Sequence, residues 1–190
     1  MAQREVELKI LAEALAEAIS KTFEEKGSLR LHKSSLERRD IIEYNGKMRI
    51  SGLEKFNNPA IISFVNYYLS EQDQKKQNAL GALIIFVLES QVISLLNKLG
   101  YPKVDEDNEE ALQASCGQLC HDFGTAFKSK LAGMGYTDPV MSAPQNFRNN
   151  IPQGINFCFK EYDKFEIGFA LEDQKLLVAE MTMGVIPRAR

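Results

Sequence analysis

Tryptophan is absent from this chain, histidine occurs only at His32 and His121, and apolar runs are short. Each shortage removes a class of protein. The longest apolar run, residues 79–88, is roughly half of the ~20 residues that a membrane-spanning helix needs. No membrane partner is expected. Charge of one sign is also missing: 23 Lys and Arg stand against 26 Asp and Glu, a net charge of −3. A nucleic-acid-binding domain normally carries a basic excess, so no nucleic-acid partner is expected either. The local basic group Arg30, His32, Lys33, Arg38 and Arg39 is offset by Glu37 and Asp40, and reads as a solvated segment. Cysteine is scarce and odd in number, at Cys116, Cys120 and Cys158. That suits a reducing compartment better than a disulfide scaffold. Residues 1–26 are charged throughout and hold no apolar signal-peptide core, which leads to the expectation of a cytoplasmic protein.

What remains is ordinary globular material. Hydrophobic residues make up 44% and charged residues 26%, enough for one good core, and the 190 residues are expected to form a single domain. Residues 4–26 predict a helix whose apolar positions are Val6, Ile10, Leu11, Leu15, Ala18, Ile19 and Phe23, with Gly27 ending it. Residues 28–58 hold strand-like pieces, Leu29-Arg30-Leu31 and Met48-Arg49-Ile50, around the turn signal Tyr44-Asn45-Gly46-Lys47. Residues 61–69 and 79–88 flank the polar stretch 71–78 and predict a hairpin. Its second strand is expected to be buried on both faces.

A short helix at 92–99 stops at Gly100. The acidic residues 105–110 then open a longer helix with the apolar stripe Leu112, Cys116, Leu119, Phe123, Phe127 and Leu131. Past a loop containing Pro139, Pro144 and Pro152, strands are predicted at 155–160 and at 165–171; residues 176–185 fit a final strand or a short helix. Strands arrive in runs rather than alternating with helices, so the fold class is α+β.

The long helix also carries a polar face. Gln118, His121, Asp122 and Thr125 fall at i, i+3, i+4 and i+7, with Lys128 and Ser129 one turn further on. The bland reading is a solvated helix face. A metal site at Cys116, Cys120 and His121 is disfavoured: Cys116 belongs to the core stripe, and no second Cys–His pair completes four ligands. Adjacent Cys120 and His121 point ~100° apart on a helix and make no nucleophile–base pair. Gly117 and Gly124 lie within the helix and are no phosphate-cradling loop. Phe64, Tyr67 and Tyr68 read as core packing rather than a base-stacking platform.

Residues 109–136, centred on Gly117-Gln118-Leu119-Cys120-His121 and continuing through Lys128, Leu131 and Gly135-Tyr136, resemble the signature helix of the CheC/CheX family of chemotaxis phosphatases. The order of elements over residues 60–172, with the loop Ser142-Ala143-Pro144, is similar too. The resemblance implies an antiparallel-dominated sheet with two long helices packed on one face, a homodimer, and bacterial two-component signalling. It implies no cofactor and no metal. In that family the signature helix presents a Glu and an Asn three residues apart. The Asn amide enters a partner receiver domain and orients water onto its phospho-aspartate, while the Glu pairs with a partner Lys. Hydrolysis of an acyl phosphate depends on positioning and charge stabilisation more than on a strong base.

In this chain the Glu falls on Gln118 and the Asn on His121. Gln still accepts a hydrogen bond but forfeits charge assistance. His can orient or activate water, yet lacks the amide's paired donor and acceptor. The expected catalytic pair is therefore Gln118 and His121, with Asp122, Thr125 and Lys128 as partner-binding residues and a receiver-domain response regulator as the partner. The alternative is a non-catalytic interaction module on the same fold. The alternating strand at 165–171 is the candidate for a sheet edge at which two copies pair.

Overall fold

The structure is a computed structural model that describes residues 2–190. The first half of the chain forms α1 (Ala2–Gly27), β1 (His32–Asp40), β2 (Glu43–Tyr44), β3 (Lys47–Ser51), α2 (Leu53–Phe56), β4 (Ala60–Tyr68), α3 (Glu71–Lys75) and β5 (Gly81–Leu88). The second half forms α4 (Val92–Lys98), α5 (Glu109–Gly133), β6 (Val140–Met141), β7 (Gln145–Arg148), β8 (Asn150–Ile155), β9 (Asp163–Leu171) and β10 (Gln174–Met183). The class is α+β. The main sheet runs β1-β9-β10-β5-β4-β6, with β7 also paired to β4, and every ladder is antiparallel. A small sheet, β2-β3-β8, covers part of its second face.

The two long helices, α1 and α5, pack together on the other face. Their contact includes Phe23 and Phe123, whose rings stack with centroids 5.9 Å apart. The core of α1 is Leu8, Leu11, Leu15, Ile19 and Phe23. Val6 and Ile10, expected in that stripe, are exposed; the helix turns its Leu8–Leu11–Leu15 line to the sheet instead. Among the described residues no helix is long and apolar enough to cross a membrane.

The predicted hairpin 61–69/79–88 is β4–β5, and both strands are buried along their whole length. Helices cover one face of them. Met48, Ile50, Ile151 and Ile155 cover the other, lying over Ile62, Phe64, Ile84 and Phe86. Burial on both faces explains why these strands read as continuous apolar runs rather than alternating ones. The polar stretch between them folds into α3, capped by the Ser70 hydroxyl, which accepts from the Asp73 amide at 3.1 Å. The Asn45-Gly46 turn forms as expected between β2 and β3, with both residues at positive φ.

Three expectations are corrected and one open alternative is decided. Leu29-Arg30-Leu31 is not a strand; the strand of this region is the charged segment β1. Residues 156–160 are not a strand either. Asn156 occupies its polar groups elsewhere: its carbonyl accepts from Asn66 Nδ2 at 2.8 Å and its amide donates to Gln77 Oε1 at 2.9 Å. Residues 176–185, undecided from sequence, form most of β10, a central strand between β9 and β5. Finally, the strand at 165–171 is not an edge. β9 lies between β1 and β10, and the edge belongs to β1, whose exposed charged residues and bulge between Lys33 and Ser35 discourage a further strand from pairing there.

Candidate functional site

Helix α5 starts at Asn108, whose side chain accepts from the Ala111 amide at 3.0 Å; Glu109 and Glu110 occupy the dipole-favoured first turn. Its predicted stripe is buried, and Cys120 is buried with it. Burial pushes the Cys116 thiol up to about 12 and raises Cys120 further, so neither supplies a thiolate at neutral pH. Two glycines let α5 approach the sheet closely. A Cβ on Gly117 would sit 2.5 Å from Asn146 Oδ1, and one on Gly124 would sit 2.5 Å from Met141 Sδ. At the second of these the Tyr67 hydroxyl donates to the Gly124 carbonyl at 3.3 Å.

This seating fixes which residues face outward. Gln118 and Thr125 are exposed, and 44% of the His121 side chain is exposed. His121 lies one turn from Gln118, and no hydrogen bond ties it to residues 137–150 among the described residues. Gln118, His121 and Thr125 therefore share one open face, one helical turn apart. The other two expected partner-binding residues are less free. Lys128 pairs with Asp138 at 3.2 Å, and only 20% of the Asp122 side chain is exposed.

Asp122 is the most heavily engaged group of the face. Its Oδ1 accepts from Gln118 Nε2 at 2.9 Å. Its Oδ2 accepts from the Tyr101 hydroxyl and lies 3.1 Å from Lys26 Nζ. Partial burial works to raise the Asp122 carboxyl, but the hydrogen bonds from Tyr101, Gln118 and Lys26 outweigh it and hold the group below the ordinary carboxylate value. Burial, then the bond to Asp122, push the Tyr101 hydroxyl well above its ordinary value, so it stays a donor. The Lys26 ammonium also sits 4.9 Å from the centroid of the Tyr101 ring. His121 Nδ1 is 4.0 Å from Asp122 Oδ1, too far for a hydrogen bond but close enough for an ionic attraction when the ring is protonated.

Lys26 and Tyr101 were not legible as part of this site. They come from the last turn of α1 and from the connection after α4, and sequence spacing carries no signal for a contact made across three elements. The Gln118–Asp122 pair was legible, since i and i+4 side chains meet on a helix.

No protein-family model matches the chain, and no curated protein matches it in sequence. Solved structures do. A CheC-like superfamily protein from Shewanella sp. PV-4 superposes with a TM-score of 0.60 at 14% identity, covering 90% of this chain and 95% of its own. The chemotaxis protein CheX from Vibrio vulnificus gives 0.60 at 13% identity, covering 90% and 97%. CheX of Borrelia burgdorferi, in a complex with CheY, BeF3 and magnesium, gives 0.55 at 14% identity, covering 92% and 97%. Nearly the whole of each chain is matched, and the all-antiparallel sheet with two long helices on one face is common ground. The chain carries the fold of the CheC/CheX-like chemotaxis proteins.

Proposed function

We propose that this chain engages a phosphorylated receiver domain through the exposed face of α5, with Gln118 and His121 at the centre and Thr125 and Lys128 flanking them. One observation carries the reading: Gln118 and His121 stand side by side and exposed on the helix where the resembled family places its Glu and Asn. The fold of a CheX crystallised with CheY, BeF3 and magnesium supports the same class of partner.

In the hydrolytic version of this reading, one His121 nitrogen accepts from a water while the water oxygen attacks phosphorus in line. The P–O bond to the receiver aspartate breaks, its electrons stay on the carboxylate, and inorganic phosphate and a proton leave. A specific observation favours binding without faster turnover. The Asp122 carboxylate already accepts from Tyr101, Gln118 and Lys26, so it does not replace the charge that Gln118 lacks. Edge-to-edge pairing of two copies through β9 is excluded, because β1 and β10 occupy both of its edges.

Two measurements on one receiver test this. Calorimetric titration with the beryllofluoride-charged receiver reads binding, and phosphate release from the acyl-phosphate-charged receiver reads turnover, each with wild type and with His121→Ala. Binding that weakens in H121A without faster release identifies an interaction module. Faster release that disappears in H121A identifies a phosphatase with an unusual pair. No binding to any co-encoded receiver strikes the proposal.

A further inference from the structure

We propose that Asp122 is a positioning residue for this face: anchored from behind, it turns the Gln118 amide so that its carbonyl oxygen points outward as the acceptor. The orientation follows from the donor and acceptor inventory. An ionised carboxylate only accepts, so the atom that Gln118 presents to Asp122 Oδ1 is its NH2 nitrogen, 2.9 Å away. The remaining polar atom of that amide is Oε1, which belongs to an exposed residue and takes no hydrogen bond among the described residues. A free surface glutamine turns either end outward; this one is committed.

What makes the commitment firm is the far side of the carboxylate. Tyr101 and Lys26 both bind Oδ2, and they arrive from the α4–α5 connection and from the end of α1. The Asp122 side chain is thus held from two other elements before Gln118 meets it. The same helix supplies a contrast. Gln113 Nε2 donates to Glu109 Oε1 at 3.0 Å, also four residues away, but no other hydrogen bond reaches the Glu109 carboxylate among the described residues. Equal spacing therefore gives one pair that is free to exchange partners with water and one that is not.

The outward carbonyl selects for a donor on whatever docks, and a cationic one gains most. On the receiver reading, from which this last step takes its partner, the donor is an ammonium or guanidinium beside the acyl phosphate. The neutral carbonyl recognises it without adding a second negative charge next to Asp122.

The side-chain amide signals of the full-length, 15N-labelled chain test the orientation with no receiver present. The Gln118 NH2 pair is expected to be well dispersed and slow to exchange with water, unlike that of Gln113. Asp122→Asn should make the two glutamines alike, because an amide at 122 donates as readily as it accepts. Tyr101→Phe, which keeps the ring and removes one anchor, should move Gln118 part of the way and serves if D122N does not fold. Gln118 signals that match those of Gln113 in the wild type, or that ignore D122N and Y101F, overturn the proposal.

Binding to the beryllofluoride-charged receiver then tests the donor. D122N should weaken it about fivefold, the equivalent of one ordinary hydrogen bond, and Gln118→Leu by a similar factor. A loss in Q118L with none in D122N overturns the positioning role. Absence of binding by the wild type strikes the receiver reading alone, because the amide signals decide the orientation without it.

Discussion

Two polar networks, one on each side of the main sheet, use the same kinds of residue to different ends. On the far side, Lys55 of α2 reaches between Glu166 of β9 and Glu180 of β10, and Lys164 joins Glu180 at 2.8 Å. The two glutamates are direct cross-strand partners, an arrangement that repels unless a cation intervenes. Only 1% of the Glu180 side chain and 8% of that of Lys55 is exposed, and both oxygens of Glu180 are taken. That network keeps its hydrogen bonds inside, and toward the surface Arg39 Nη2 approaches it, 4.0 Å from Glu166 Oε1. On the helix side, Lys26, Tyr101 and Asp122 form a half-buried base, with 38% of the Lys26 side chain exposed, and the chain of bonds continues to Gln118 and ends at the surface beside His121. A network that closes holds elements together. One that ends in free polar atoms also presents them to something else. Charge alone does not separate structure from recognition here; burial and the direction in which the last group points do.

Breaking the closed network should have the largest effect on stability. Lys55→Met leaves Glu166 and Glu180 facing each other without the ammonium between them, and loss of one partner from a buried ionic cluster costs about 3–5 kcal/mol. Urea unfolding checks this, and receiver binding by the folded fraction should be unchanged. The same variant should flatten the acid arm of the stability curve. Burial works to raise Glu166, but the hydrogen bond and charge of Lys55 prevail and leave its carboxyl depressed in the fold. A depressed carboxyl contributes stability that is present above its unfolded value, near pH ~4.3, and lost as pH falls through the lower folded value. Wild type should therefore lose stability over that acid window, and K55M should lose less of it.

Next in size is the seat of α5. Gly117→Ala places a methyl 2.5 Å from Asn146 Oδ1, an oxygen that already accepts from the Ser63 hydroxyl at 2.8 Å. Overpacking of this kind costs about 1–3 kcal/mol. Because the methyl meets the Asn146 side chain one residue before Gln118, any displacement of the helix there should carry the open network with it. Weaker binding in G117A than its stability loss explains would tie the presentation of the face to the close approach of helix and sheet. An equal loss of both would reduce Gly117 to a packing residue.

Much of this was written in the sequence wherever one local rule decided the outcome. The continuous apolar run 79–88 gave the doubly covered strand β5, the 3–4 spacing gave the core stripe of α5, and Asn45-Gly46 gave a hairpin turn; that β4 is covered on both faces as well was not read. Elements that depended on distant partners were hidden. The β9–β10 hairpin turns at Glu172-Asp173, both at positive φ, where no Asn-Gly or Gly pair announces it. β1 is charged on both sides because it is an edge, and so reads as a solvated segment. In the site, the pair at i and i+4 was visible, while its anchors 96 and 21 residues upstream, Lys26 and Tyr101, had no local signature.

The smallest expected change sharpens the comparison most, because it alters what the open network presents while leaving its base intact. Gln118→Glu with His121→Asn installs the two residue types that the resembled family carries. The new carboxylate lies one turn from Asp122 and no longer donates to it; the like charges at i and i+4 cost about 0.2–0.5 kcal/mol and the lost hydrogen bond about 0.5–1.5 kcal/mol more, which thermal unfolding resolves. In return the face gains a charged acceptor and an amide that donates and accepts at once. If the receiver reading holds, phosphate release should rise about tenfold, the equivalent of a single charge-assisted hydrogen bond of ~1.5 kcal/mol formed in the transition state. If release stays at the receiver's own rate although binding is kept, then the face is not seated to reach the phosphoryl group, and docking rather than hydrolysis is what this helix does. The two substitutions made singly divide the effect: H121N alone should restore water orientation without the charge, and Q118E alone should steepen the salt dependence of binding.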